Sequence, residues 1–403
     1  MKKLSALCSL AAVAALGAEL DESYLSDLKN RQFELEQRKA DAQSSTLRDS
    51  WIQPVRLNYT YLKSDPYGAD QTTKNATVTI DQPIFKSGGI YFAIKYAEAA
   101  HINATDSIEQ QRRSLIKEAV SLLMQIRQAA LRIERQELLI DNARINLEQK
   151  RELYVNGQID SGFLDSAMVD ANLAEQQLYD LQNARAKLLS AFRILSDLDP
   201  ETARIPHLEL LLETDFMQHN IDLKRMQSEQ ELNRYNASVT VAKYLPQLNL
   251  VAGYNREVSE GVTMGGVFDI PDTKEEYYHY GFKVSMPLDI NSFSDSEAAR
   301  MEYLKSQTLL DDKRRELQAL YGQVVHNLEN SDRKIALAQR NVELYGEILE
   351  ETRDLYRAGY KTRYDVRNLE NSVAIQRLDA RIFKLDRQLE LLALYEKMSA
   401  EGS

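Results

Sequence analysis

The side chains best able to bind a metal or attack a substrate form no site in this sequence. Its five histidines, at 101, 207, 219, 279 and 326, never approach metal-ligand spacing, and its one cysteine, Cys8, stands alone. A zinc centre needs several nitrogen or sulfur ligands converging on one point. A nucleophile needs a base within hydrogen-bond reach, and a phosphate loop needs its glycines before Lys-Ser or Lys-Thr. None of these patterns occurs, so the sequence predicts neither an enzyme nor a cofactor or metal site. The remaining chemistry is electrostatic and conformational, and it gathers in two related stretches. "LYVNGQIDSGFL" (153–164) and "LYRAGYKTRYDV" (355–366) each interrupt a long helical pattern with Tyr-x-x-Gly, and Tyr154 and Gly157 match Tyr356 and Gly359 at one offset of 202 residues. Glycine suits the left-handed position that ends a helix. Arg357 suits the carbonyl end of the helix before the break, and Asp365 the first turn of the helix after it.

The elements that position these breaks are read from where glycine and proline are missing. There is neither residue between Gly89 and Gly157, between Pro206 and Pro246, or between Pro287 and Gly322. Both weaken helix interiors, so the partition predicts very long helices. Leu317, Leu320, Val324 and Leu328, then Ile335, Ala338, Val342, Tyr345 and Leu349, recur at the spacing of a coiled-coil seam. A helix of about 65 residues is roughly 100 Å long and needs a partner along its length, which the Tyr-x-x-Gly breaks supply by folding the chain back. Gly322 and Gly346 each follow a tyrosine inside such a helix, and close packing against a neighbour is the expected reason.

Elsewhere the period is two. "RLNYTYL" (56–62) and "ATVTID" (76–81) alternate, as do "LPQLNLVAGY" (245–254) and "YHYGFKVSMPL" (278–288). In the last, Tyr278, Tyr280, Phe282, Val284, Met286 and Leu288 share one face, with His279, Gly281, Lys283 and Ser285 on the other. Pro54 pairs with Pro246 and Pro83 with Pro287 as equivalent points, so the chain is an internal duplication. The first repeat is expected over 19–196: a helix, strands 51–63 and 75–85 around a loop with Pro66 and Gly68, a long helix 89–155 and a helix 163–196. A linker follows at 197–215. The second repeat, 216–398, has a helix, strands 246–257 and 277–288 around a Gly-rich loop (259–275), a long helix 292–356 and a helix 364–398, with a tail at 399–403.

Apolar-out alternation with tyrosines near the strand ends is the pattern of an outer-membrane barrel. Four strands cannot close one, and an open edge in hydrocarbon strands its backbone groups at several kcal/mol each. Either the strands are soluble hairpins or several chains pool them, and three copies would give twelve strands, an adequate barrel. The opening "MKKLSALCSLAAVAALGA" reads as a secretory signal peptide (1–18), which would remove Cys8. Losing Lys2 and Lys3 with it takes the formal charge from −11 to −13. So acidic an exported chain is not expected to bind nucleic acid.

Taken with the duplication, "YLPQLNLVAGY", "QPIFKSGG" and "YRAGYKTRYDV" resemble the TolC-type outer-membrane efflux proteins over nearly the whole chain. The resemblance implies a mainly α protein with a small membrane β-barrel. In such a homotrimer, twelve strands form one barrel in outer-membrane lipid and twelve helical segments form a periplasmic tunnel. It further implies an exit duct of a tripartite efflux or type I secretion system, taking substrates from an inner-membrane pump through a periplasmic adaptor protein. A periplasmic coiled-coil adaptor or scaffold is the alternative, against which the duplication and the apolar-out strands both argue. By position, Tyr154, Asn156, Gly157 and Gln158, with Arg357, Ala358, Gly359 and Tyr360, match the adaptor-docking tips. Asp365 matches an acid ringing the narrow entrance, where three carboxylates would attract cations, while Asn368 replaces a second acid. Tyr356 and Lys361 match positions that hold the entrance closed. Their partners in the family are acidic and hydroxyl-bearing; this chain has Phe163 and Gly162 there.

Overall fold

The computed structural model describes residues 20–65, 70–264 and 268–399. The signal-peptide assignment, most of the tail, and Pro66 and Gly68 of the first loop lie outside the described residues. The elements run in order α1 (Asp27–Arg48), β1 (Arg56–Ser64), β2 (Gln71–Phe85), α2 (Gly89–Val155), α3 (Ser161–Leu195), α4 (Glu213–Gln218), α5 (Ile221–Lys243), β3 (Gln247–Ser259), β4 (Val262–Met264), β5 (Phe268–Ile270), β6 (Thr273–Ser285), α6 (Ser292–Arg357) and α7 (Arg363–Tyr395). The succession helix, strands, long helix, break, helix appears twice. Two compact units share the chain: one holds Ile108–Leu223, everything from Lys313 onward and the stretch up to Leu35; the other holds Glu36–Ser107 and Lys224–Asp312.

In the second unit β1, β2, β3 and β6 form one antiparallel sheet in that order, so among the described residues β1 and β6 each keep an unpaired edge. The register puts Leu57 opposite Val78, Val78 opposite Tyr254 and Tyr254 opposite Tyr278, and further along Leu250 opposite Phe282. This apolar face is bare: Tyr280 is 80% and Phe282 72% exposed. The reverse face carries Arg56, Asn58, Thr79, Asp81, Asn249, His279 and Lys283, with Lys283 and Asp81 paired at 3.5 Å. There the His279 ring lies over Gly253, its cross-strand partner, and a Cβ on Gly253 would stand 2.4 Å from Cε1 of His279. Gly253→Ala is expected to force that ring off its rotamer at about 1 kcal/mol, lowering the temperature at which the folded band disappears on SDS gels. The loss should vanish in a His279→Ala background; persistence there would put its cause elsewhere.

Several boundaries depart from the sequence reading for local reasons. The first strand begins at Arg56 rather than 51, because Pro54 cannot donate to a ladder and the Gln53 N–H donates instead to the Gln82 side chain at 2.9 Å. The second begins at Gln71 rather than 75; its polar start pairs with Thr60–Ser64 and carries no alternation to read. The Gly-rich loop at 259–275 is mostly strand, since β3 runs to Ser259, β6 starts at Thr273, and β4 pairs with β5 between them. The expected opening helix at 19–50 is a 3-10 turn at Glu22–Tyr24 followed by α1. The helix expected to start near 215 is broken, and Asn220 caps α5 by accepting from the Asp222 and Leu223 N–H groups at 3.0 and 3.2 Å.

In the first unit α2 packs with α3, and α6 with α7. Gln136 of α2 donates to the Ala174 carbonyl of α3 at 2.9 Å, and Asn341 of α6 to Gln376 of α7 at 3.2 Å. Leu131 of α2 clusters with Leu378 and Ile382 of α7, joined by Leu138 and Leu385. Leu310, Leu317, Val324 and Ala338 are buried along α6 at multiples of seven residues, the expected seam. At Gly322 and Gly346 a Cβ meets nothing within 4 Å, so close packing inside this chain explains neither glycine. The linker is anchored, with Leu208 fully buried and its N–H donating to Gln388 at 2.7 Å. Among the described residues no helix is long and apolar enough to cross a membrane.

Candidate functional site

The two helix–helix breaks have the same backbone. At the first, the Gly157 N–H donates to the Tyr154 carbonyl at 2.9 Å and the Gln158 N–H to that of Leu153 at 2.8 Å. At the second, Gly359 donates to Tyr356 at 3.0 Å and Tyr360 to Leu355 at 2.9 Å. Both are paired helix-ending bonds with glycine in the left-handed region, φ 67° at Gly157 and 83° at Gly359. A side chain in that conformation costs roughly 1–2 kcal/mol, so the repeated glycine follows from the turn. Around it Tyr154, Asn156 and Gln158, and Arg357, Ala358 and Tyr360, are exposed. Arg357 pairs with Asp354 at 2.9 Å, in the last turn of its own helix.

The returning helices start differently. Asp160 caps α3 by accepting from the Gly162 N–H at 2.8 Å. Thr362 caps α7 in a reciprocal box: the Thr362 N–H and hydroxyl both donate to Asp365 Oδ2, at 2.9 and 2.8 Å, while the Asp365 N–H donates to Thr362 Oγ1 at 3.3 Å. The Thr362 backbone N–H does most to hold the Asp365 carboxyl below the usual carboxylate range; burial opposes it, and the Thr362 hydroxyl and nearby Lys361 add smaller lowering effects. The acid therefore stays charged at neutral pH, and its capping contribution is lost only as pH falls through that lowered value.

The remaining residues singled out in the sequence separate. Among the described residues neither the Tyr356 hydroxyl nor the Lys361 ammonium makes a side-chain hydrogen bond or ion pair. Phe163 lies beneath Lys150 Nζ at 5.6 Å instead. Asn368 is half-buried with its side-chain oxygen unpartnered. The contacts between the two hairpins come from residues the sequence did not point to. Arg367 of α7 grips Asp141 of α2 with two bonds, 3.0 and 2.7 Å. Asn371 donates to Asp141 and to Asn142, each at 2.7 Å, and the Tyr364 hydroxyl to Glu152 at 2.9 Å. No local signal marks these pairs, whose members lie more than 200 residues apart. Among the described residues no three His, Cys, Asp or Glu side chains gather to hold a metal ion.

The family model described as "Outer membrane efflux protein" matches residues 27–193 and 214–399, one stretch per repeat. Solved structures with the same fold include the outer membrane protein VceC from Vibrio cholerae, 17% identical, covering 96% of this chain and 97% of that one with a TM-score of 0.69. The Campylobacter jejuni CmeC outer membrane channel is 13% identical, covers 96% of this chain and 87% of its own, and scores 0.71. The open state of the Neisseria gonorrhoeae MtrE outer membrane channel is 15% identical, with 95% and 88% covered and a score of 0.65. No curated protein matches the chain.

Proposed function

Because this chain belongs to the outer membrane efflux protein family, a family of channels, and so is an outer-membrane efflux channel, we propose that three copies close one twelve-stranded barrel. Cargo would reach it from an inner-membrane pump through a periplasmic adaptor. The observation that carries the trimer is the sheet itself: four strands, two unpaired edges and an uncovered apolar face. Lipid covers the face but cannot satisfy the edges, whereas the β1 edge of one copy and the β6 edge of the next can satisfy each other. Further apolar side chains left exposed on the helices, Leu173 and Tyr179 on α3 and Leu337 and Leu344 on α6, offer contact area to the neighbouring copies.

The tips at Tyr154–Gln158 and Tyr356–Tyr360 are assigned to the adaptor, supported by their exposed aromatic rings on repeated, hydrogen-bonded turns. The entrance is assigned to the start of α7. Asp365 rings it with charge, and the closing role is assigned to the Arg367–Asp141 grip, shared with Asn371 and flanked by Tyr364–Glu152, since among the described residues of one chain Tyr356 and Lys361 make no side-chain bond.

Asp365→Asn separates charge from capping, because an asparagine oxygen can still accept from Thr362. In single-channel recordings across a salt gradient, the cation-to-anion permeability ratio should fall about threefold or more, with helicity unchanged. An unchanged ratio would leave Asp365 a cap alone.

A further inference from the structure

We propose that the crevice where the sheet meets the helices binds a zwitterionic phospholipid, its phosphate on Arg300 and its ammonium on Glu297; this rests on the membrane reading of the sheet. The crevice, of about 550 Å³, is lined by Phe92, Val241, Leu245, Phe293 and Met301 together with Glu297 and Arg300. That volume lies in the range of small-molecule sites and holds part of an acyl chain. All its walls belong to one compact unit.

The occupant follows from continuity and charge. The apolar sheet face continues past the end of β6 into Met286, Leu288 and Ile290, the last two 91% and 95% exposed, and then into Phe293, which is 77% exposed and also lines the crevice. Burying that band places the lipid boundary at the start of α6. Glu297 and Arg300 are five and eight residues into α6, about 8 and 12 Å along it, where headgroups give way to water. Three apart on a helix, the two charges have Cβ atoms roughly 5–6 Å from one another. Among the described residues Arg300 has no ion-pair partner, Glu297 included. An anion alone would satisfy Arg300 but meet repulsion from Glu297; a phosphate followed two carbons later by an ammonium satisfies both. Phosphatidylethanolamine has that headgroup.

Trp51 is the only tryptophan, so a Trp51→Phe chain accepts single reporters: Phe293→Trp in the crevice and Tyr280→Trp on the sheet face. Each is reconstituted into vesicles whose phosphatidylethanolamine or phosphatidylglycerol carries brominated acyl chains. Both reporters should be quenched. At Phe293→Trp the ethanolamine lipid should compete about threefold or more better than the glycerol lipid, a preference lost on adding Arg300→Glu and absent at Tyr280→Trp. Quenching of Tyr280→Trp alone would mean that a second copy or the lumen takes the crevice, and would overturn the proposal while leaving the membrane reading intact. Equal competition by the two lipids, or indifference to Arg300→Glu, would overturn the headgroup assignment. Failure of both reporters would remove the membrane reading and the lipid site together.

Discussion

A proline at Asn58 and a proline at Tyr59 should each abolish the trimer. In a strand, successive residues direct their N–H groups to opposite sides, so one of these neighbours donates to β2 and the other away from it. If β1 were a permanent edge, the outward position would accept proline almost freely, since edge strands are where proline is tolerated. If the edge is closed by another copy, the same substitution removes a ladder bond inside hydrocarbon, where each unpaired group costs several kcal/mol. The lost group recurs three times per barrel. Chemical cross-linking in outer-membrane fractions and resistance of the folded band to SDS read the result. A trimer surviving with proline at either position would mean that β1 is open on one side.

Asp222→Ala should destabilise the helical unit strongly, by about 3 kcal/mol. Asp222 is 2% exposed, yet it carries a charge answered from three directions: Gln110 Nε2 at 2.6 Å, Lys397 at 3.2 Å and Lys313 at 3.6 Å. It also sits in the first turn of α5, where the helix dipole favours an acid. Its neighbours fasten the end of the described chain: the Ile221 N–H donates to the Lys397 carbonyl at 2.8 Å, and the Ser399 N–H to that of His219 at 2.7 Å. Removing the carboxylate leaves two ammonium groups, each about a quarter exposed or less, with only Glu316 at 2.8 Å from Lys313 and Glu396 at 3.8 Å from Lys397 as counter-charges. Hydrogen exchange across α5 and the last turn of α7 should rise steeply. Replacing Lys313 and Lys397 by methionine together with Asp222→Leu should recover most of the loss, because a buried ion network is costly to break yet readily exchanged for apolar packing. If Asp222→Ala left the exchange unchanged, the network would contribute nothing to holding these segments.

Much of this architecture is local and therefore legible. The alternation of Tyr278, Tyr280, Phe282 and Val284 announces a one-sided sheet whatever surrounds it, because the period of a strand is two. Glycine at 157 and 359 follows from a backbone angle that other residues resist, and "TRYD" at 362–365 carries its own capping box. The polar start of β2 was hidden, as were the small strands within the Gly-rich stretch, because partners rather than periodicity hold them in place.

By itself the sequence determined the duplication, the long paired helices, the two tips and a sheet unable to close alone. Apart from the duplication, which is read by comparing the two halves, each is a property of near neighbours along the chain. Only the tertiary structure decided that Arg367 meets Asp141, that Asp222 is buried between two lysines, and that Arg300, without an ion-pair partner among the described residues, lines an apolar crevice. Those are meetings between segments tens to hundreds of residues apart, and the pairing of distant charges leaves no periodic trace in the chain that carries them.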